Sequence, residues 1–182
     1  FIPFNDFYYN PKSILDTNVT YNNINFLGYG INDSAYNDYF DAEITGKELC
    51  FIFAGEPKNK TGQYFISGNK TPSDKASDRK KINEAIHQGI SCLFIIVEDI
   101  DQRINNYRSH FLKPTLSLLD EPKKENAMNY FYISIEMADD ILQYANKKTS
   151  VSKLKNRIAK RGQPQSFKVE TEVILEMKRK ME

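Results

Sequence analysis

Residues Phe26–Pro57 read FLGYGINDSAYNDYFDAEITGKELCFIFAGEP, and the fold turns on how this stretch is parsed. Asn25–Ile31 has the apolar content of a strand. Gly28 and Gly30 inside it permit a bulge or a close backbone approach. Asn32–Phe40 alternates Tyr, Asp and Asn, residues that favour turns. Thr45-Gly46-Lys47 is a turn, and Glu48–Phe53 is a continuous apolar run of the kind buried on both faces of a sheet. Gly55-Glu56-Pro57 closes it. A helix is then expected over Lys75–His87, with Ser73 or Asp74 able to cap it, Gly89 beyond its end and another apolar strand at Cys92–Val97. The result is a strand–helix–strand crossover.

The remaining chain is organised around that unit. Phe1–Thr20 is aromatic and irregular, broken by Pro3 and Pro11, with a short edge strand expected at Val19–Ile24. Lys58–Asp74 is long and polar, with Tyr64-Phe65-Ile66 as a short strand inside it, and a connection of this length in a compact domain is usually functional or mobile. Arg103–Pro122 suggests only an extended piece around Leu116–Leu119. Tyr130–Ile135 reads as a strand. Ser134 caps a helix whose apolar stripe is Met137, Ala138, Ile141, Leu142 and Ala145. A short basic helix follows at Val151–Lys160, ended by Gly162 and Pro164. Alternation from Phe167 to Met177 marks a last strand.

The 182 residues are enough for one domain with a full core. A net charge of +1 sets up no global field toward nucleic acid or an anionic membrane. No apolar run reaches the roughly 18 residues that span a bilayer. The two cysteines, Cys50 and Cys92, lie in the two apolar strands and read as buried core thiols. A disulfide requires that the strands be neighbours and that both side chains share a face.

Motifs for chemistry are sparse. Gly28-x-Gly30 lacks the third glycine of a dinucleotide loop, since position 33 is Asp33. Gly68-Asn69-Lys70-Thr71 has the end of a phosphate loop without its first glycine. No Gly-x-Ser-x-Gly elbow occurs. Neither His87 nor His110 has a second His or an acidic residue at the i, i+4 spacing of a helical ligand pair. Glu98-Asp99-x-Asp101 lacks the glycine and glutamate of a calcium loop and reads as a solvated strand end. The cationic run Lys147, Lys148, Lys153, Lys155, Arg157, Lys160, Arg161 accompanies Val151, Leu154 and Ile158 at helical spacing, which is a helix on a core with its charges in water. The Asn-x-Ser/Thr sites at Asn18, Asn32, Asn59 and Asn69 are a natural product of an Asn-rich composition. The aromatics of the Asn32–Phe40 loop and of Tyr64-Phe65 are the better candidates for contact, because Tyr and Phe bring area at low entropic cost.

The phrase Phe26-Leu27-Gly28-Tyr29-Gly30-Ile31, the pair Tyr36–Tyr39, the ending Gly55-Glu56-Pro57, the Lys75–Val97 helix and strand, and Pro164-Gln165-Ser166-Phe167 together resemble the protease-associated domain of secreted zinc aminopeptidases, relatives of transferrin receptor and glutamate carboxypeptidase. The resemblance covers most of residues 24–177, and Arg103–Asn126 lies outside it. It implies an α+β fold: a β-rich barrel or sandwich with two to three flanking helices, in the swivelling β/β/α arrangement. It divides the chain into an irregular N-terminal segment (1–23), a protease-associated domain (24–178) and a tail (179–182) leading to a catalytic domain. It implies a non-catalytic accessory role, bordering the active site or mediating protein contacts of a zinc-dependent aminopeptidase. The segment itself then has no catalytic residue, metal ligand or cofactor, and zinc is expected in the catalytic domain. The partners implied are that domain and a peptide or another protein, not nucleic acid or a membrane interior. The location implied is extracellular or periplasmic, and a start at Phe1 rather than Met reads as a processed or excised segment. Candidate substrate- or partner-facing residues are Tyr36, Tyr39, Glu56, Tyr64 and Phe65. The alternative is a free-standing peptide- or ligand-binding module of an exported protein. An independent hydrolase is a third reading.

Overall fold

The structure, a computed structural model, describes residues 1–9, 17–111, 128–145 and 147–177. The strands are β1 (Phe7–Tyr8), β2 (Thr17–Leu27), β3 (Asn32–Asp33), β4 (Tyr36–Asn37), β5 (Leu49–Phe53), β6 (Cys92–Ile96), β7 (Asn129–Ile133) and β8 (Ser166–Met177). The α-helices are α1 (Asp78–His87), α2 (Ile100–Phe111), α3 (Ile135–Tyr144) and α4 (Val151–Arg161), with a 3₁₀ turn at Asp74–Ala76 before α1. The chain is therefore mixed α and β, as its alternating pattern implies.

Six strands form one open sheet in the order β1-β7-β6-β5-β2-β8. The four central strands are parallel, and β1 and β8 join antiparallel at the two edges. β3 and β4 make a small separate ribbon. The all-buried runs LCFIF and CLFII of β5 and β6 are what a parallel sheet covered on both faces demands. On one face Phe51, Phe53, Phe94 and Phe131 pack against α3 and α4. On the other, Cys50, Ile52, Leu93 and Ile95 pack against α1 and α2.

This layering resolves the cysteines. β5 and β6 are neighbours, with Cys50 opposite Leu93 and Leu49 opposite Cys92. The one-residue offset sends the two sulfurs to opposite faces. Both are free, and burial pushes both thiols well above their ordinary range.

Helix boundaries follow local chemistry. The Ser134 hydroxyl accepts from Met137 N at 3.0 Å, and Ser150 accepts from Lys153 N at 3.3 Å. α4 ends on Gly162 in the left-handed region, φ 66°. Three readings are corrected. The strand expected over Asn25–Ile31 ends at Leu27 and is continuous with the one expected at Val19–Ile24, because Gly28 and Gly30 take positive φ and turn the chain. Glu98–Asp101 is not merely a solvated strand end, since the Asp99 carboxylate accepts from Gln102 N at 2.7 Å as α2 begins. α1 starts at Asp78 rather than Lys75, after the 3₁₀ turn. The extended piece expected at Leu116–Leu119 and the tail 179–182 lie outside the described residues.

Candidate functional site

The phrase Gly28-Tyr29-Gly30 is a tight turn held from both sides. Gly30 N donates to Leu27 O at 2.7 Å. On the amide side, one Asp38 carboxylate oxygen accepts from Tyr29 N at 3.0 Å and Ile31 N at 3.1 Å. On the carbonyl side, Lys81 Nζ donates to Tyr29 O at 2.5 Å and to Phe53 O at 2.8 Å. Phe53 N donates to Gly28 O, and the Ser166 hydroxyl donates to Asp38 O at 2.6 Å. The clamp thus ties together the ends of β2 and β5, the start of β8, and α1.

Asp38 and Lys81 are each 1% exposed. Burial pushes the Asp38 carboxyl up to about 7, against the opposing pull of the Ile31 and Tyr29 amides. Burial pushes the Lys81 ammonium down to about 7. Among the described residues the second Asp38 oxygen and the Tyr36 hydroxyl have no hydrogen-bond partner, although the two groups are neighbours. Gly28 is required here, because a Cβ built on it would overlap the Asp38 carboxylate.

Above the clamp, at the C-terminal ends of β5 and β6, lies an open cleft of about 580 Å³. Its walls include Tyr29, Lys58, Tyr64, Glu98, Arg103 and Lys155. Lys155 pairs with Glu98 at 2.8 Å, and this contact holds the Glu98 carboxyl below its usual range. The Lys155 ammonium also stands 5.1 Å from the Phe53 ring centre, and Lys58 stands 4.6 Å from that of Tyr64. Arg103 is held by Asp78 at 2.7 Å and lies over the Tyr132 ring. Strand ends of a parallel sheet are where ligands gather, and this cleft offers both signs of charge beside aromatic edges.

The five candidate contact residues separate. Tyr36 and Tyr39 are 2% and 7% exposed, so they are corrected from partner-facing to core. Their burial follows from the loop folding back: Asp38 N donates to Ile31 O, and Tyr39 OH reaches Gly30 O at 3.4 Å. Phe40, next in the chain, is 83% exposed. Tyr64 is half-buried on the cleft wall. Phe65 is half-buried against Gly162, the cap of α4. Glu56 is buried and works as a second clamp. Its carboxylate accepts from Ile66 N at 3.2 Å, from Ser73 N at 2.7 Å and from the Ser73 hydroxyl at 2.7 Å.

Lys58–Asp74 is consequently a hydrogen-bonded loop, fastened by Glu56 at its middle and near its C-terminal end and internally by Asn59, whose side-chain oxygen accepts from Thr61 N and Gln63 N. Removing the carboxylate in Glu56→Ala is expected to lower stability by about 2–4 kcal/mol, since three donors lose a charged acceptor. The same change should speed tryptic cleavage at Lys58, Lys60 and Lys70 relative to the rest of the chain. Unchanged cleavage would show that Glu56 does not hold the loop.

Sequence reasoning did not find Asp38 and Lys81 as a functional pair. A signal existed for the second: Lys81 stands four residues before Ala85, the other buried residue of α1. Among the described residues no group of three or more His, Cys, Asp or Glu is placed to hold a metal ion, and no helix is long and apolar enough to cross a membrane. His87 is exposed on α1, and the side chain of His110 lies outside the described residues. No family model, curated protein or solved structure matches the chain.

Proposed function

We propose that this chain is a non-catalytic accessory domain of the protease-associated kind, bordering the active site of an exported zinc aminopeptidase. The observation that carries this reading is the use made of the signature residues. Gly28, Gly30, Asp38 and Glu56, together with Lys81, are bound to backbone groups of their own domain. Their capacity goes into fixing a loop platform around the cleft at the strand ends. Such a platform acts by shape and contact, admitting or refusing peptide chains beside a catalytic centre that another domain supplies. The barrel or sandwich of the swivelling β/β/α arrangement belongs to the same proposal, whereas six of the described strands form a single open sheet with helices on both faces. Zinc and the water-activating carboxylate are assigned to the partner domain.

The cleft also supports a second reading, a free-standing module that binds peptides or small ligands between Lys58, Glu98 and Lys155. One set of measurements distinguishes the two. On the accessory reading, the gene encodes His-x-Asp and Glu-Glu zinc motifs beyond Glu182. The purified chain with added zinc then hydrolyses neither aminoacyl nor peptide substrates. Charge reversal of the cleft pair in the longer product (Glu98→Lys with Lys155→Glu) changes kcat/KM for peptides by about tenfold, about 1.4 kcal/mol, and spares a small aminoacyl amide. Hydrolysis by the isolated chain above a heat-killed control would overturn the reading. A stop codon after Glu182, with peptide binding by the chain alone, would establish the module instead.

A further inference from the structure

α4 carries no acidic residue, and its cations divide by face. Lys155 is half-buried on the cleft side, where it pairs with Glu98. Lys153, Arg157, Lys160 and Arg161 stand at i, i+4, i+7 and i+8, the spacing of one helix face, and all of them are exposed. Among the described residues none of these has a carboxylate within ion-pair distance. Elsewhere cations meet acids: Lys75 faces Asp33, Lys80 faces Asp74 and Arg103 faces Asp78. The chain has 25 Lys and Arg against 24 Asp and Glu, so the stripe on α4 is a local segregation of charge rather than a share of a general excess.

Helix stability does not account for the stripe. Lys160 and Arg161 suit the negative end of the helix dipole, but Lys153 sits in the first turn, where a cation is unfavourable. Arg157 has like-charge neighbours at Lys153, Lys160 and Arg161, three or four residues away, and each such pair weakens a helix. A single Glu at position 157 would turn all of these repulsions into attractions.

The face also restricts what can lie on it. From Lys153 to Arg161 it is about 12 Å long at the helical rise. The other exposed side chains of α4 are Ser152 and Asn156. Nothing exposed on the helix is apolar or aromatic, so it has no group to insert into a bilayer or to stack on a base. The neighbouring α3, whose Asp139 carboxylate accepts from Val151 N at 2.6 Å, exposes Glu136 and Asp140. A duplex or an anionic membrane extends far beyond the roughly 8 Å over which a charge is felt in physiological salt, and it meets those carboxylates as well. A short acidic segment can meet the cations alone.

We propose that the outer face of α4 docks an acidic segment of a partner protein, with several Asp or Glu side chains spread over about 12 Å. These carboxylates pair with Lys153, Arg157, Lys160 and Arg161 and remove the repulsion among them. This inference does not rest on the aminopeptidase reading.

The test titrates a labelled glutamate-rich peptide and its lysine-rich twin into the full chain, with duplex DNA and phosphatidylserine vesicles as further probes. The acidic peptide is expected to bind at least about tenfold tighter than its twin, with the difference shrinking as salt rises. Arg157→Glu should weaken its binding about tenfold while leaving the melting temperature unchanged or higher. Lys47→Glu makes the same change of charge on the exposed turn before β5 and should leave the affinity as it was. Equal affinities for the two peptides, no binding, or equal losses in the two variants would overturn the proposal. Tighter binding of the duplex or the vesicles than of the acidic peptide would do the same, because the occupant would then be a phosphate polymer or a membrane. So would a melting temperature lowered by Arg157→Glu, because acids of this chain would then already cover the stripe.

Discussion

Gly28→Ala is expected to lower stability by about 3–5 kcal/mol, a large part of the roughly 5–15 kcal/mol that holds a domain of this size together. Two effects add. Gly28 has φ 49°, where an L side chain costs about 1–2 kcal/mol. The new Cβ would also overlap the Asp38 carboxylate, which has no room to retreat without releasing the Tyr29 and Ile31 amides. Each buried donor left unpaired adds about 1–3 kcal/mol. The neighbouring glycines separate these effects. Gly30→Ala, at φ 62°, would place a Cβ 2.8 Å from Ile52 Cγ2, so it strains the backbone and crowds one core side chain. Gly55→Ala, at φ 77°, meets nothing and should show the backbone strain alone, about 1 kcal/mol. Urea unfolding of the three variants gives the ranking Gly28 above Gly30 above Gly55. A Gly28→Ala loss no larger than that of Gly55→Ala would show that Asp38 does not pack on the bare Cα.

Much of the architecture could be read from the sequence because hydrophobic burial writes long, regular signals. The runs at Leu49–Phe53 and Cys92–Ile96 are unbroken because both faces of those strands meet helices. α3 and α4 carry clean apolar stripes behind serine caps. β1 is two residues long and carries almost no pattern. α2 has only Ile100 and Ile104 as buried anchors among the described residues, set in polar and Asn-rich surroundings of modest helix propensity. The turn at Gly28–Gly30 was hidden because its apolar neighbours are buried whether the chain runs straight or turns. The burial of Tyr36 and Tyr39 is hidden, since a loop dense in Tyr, Asn and Asp looks solvated. One oxygen of the carboxylate that goes inside with this loop is satisfied by backbone amides close in space but seven and nine residues away in sequence. Polar burial of this kind depends on three-dimensional pairing, which periodicity does not record.

Lys81 provides the second large effect and the one with a pH signature. Its ammonium is buried with the Tyr29 and Phe53 carbonyls as its acceptors, and no carboxylate oxygen forms an ion pair with it among the described residues. Lys81→Ala removes a long side chain from a packed position and leaves two carbonyls unpaired, so the expected loss is about 3–5 kcal/mol. Lys81→Met keeps most of the volume and isolates the polar part. In the folded chain Lys81 titrates at about 7, against 10.5 for an ordinary lysine. Between those values the unfolded chain binds a proton that the folded chain does not, so this group makes stability rise with pH from about 7 to 10.5. Asp38 slopes the other way: raised from 3.8 to about 7, it contributes stability that is fully present below 3.8 and lost as pH climbs through about 7. The two slopes meet near neutrality. Lys81→Met should remove the upper slope and leave the lower one in place. Its stability deficit relative to the unaltered chain should therefore be larger at about pH 10 than at about pH 7, where the unaltered chain still bears the burden of burying a charge. Urea unfolding at the two pH values measures this directly. A deficit that stays constant or shrinks toward high pH would mean that Lys81 remains charged inside the fold, and the clamp on the Tyr29 and Phe53 carbonyls would then be an ionic contact rather than a neutral hydrogen-bonded one.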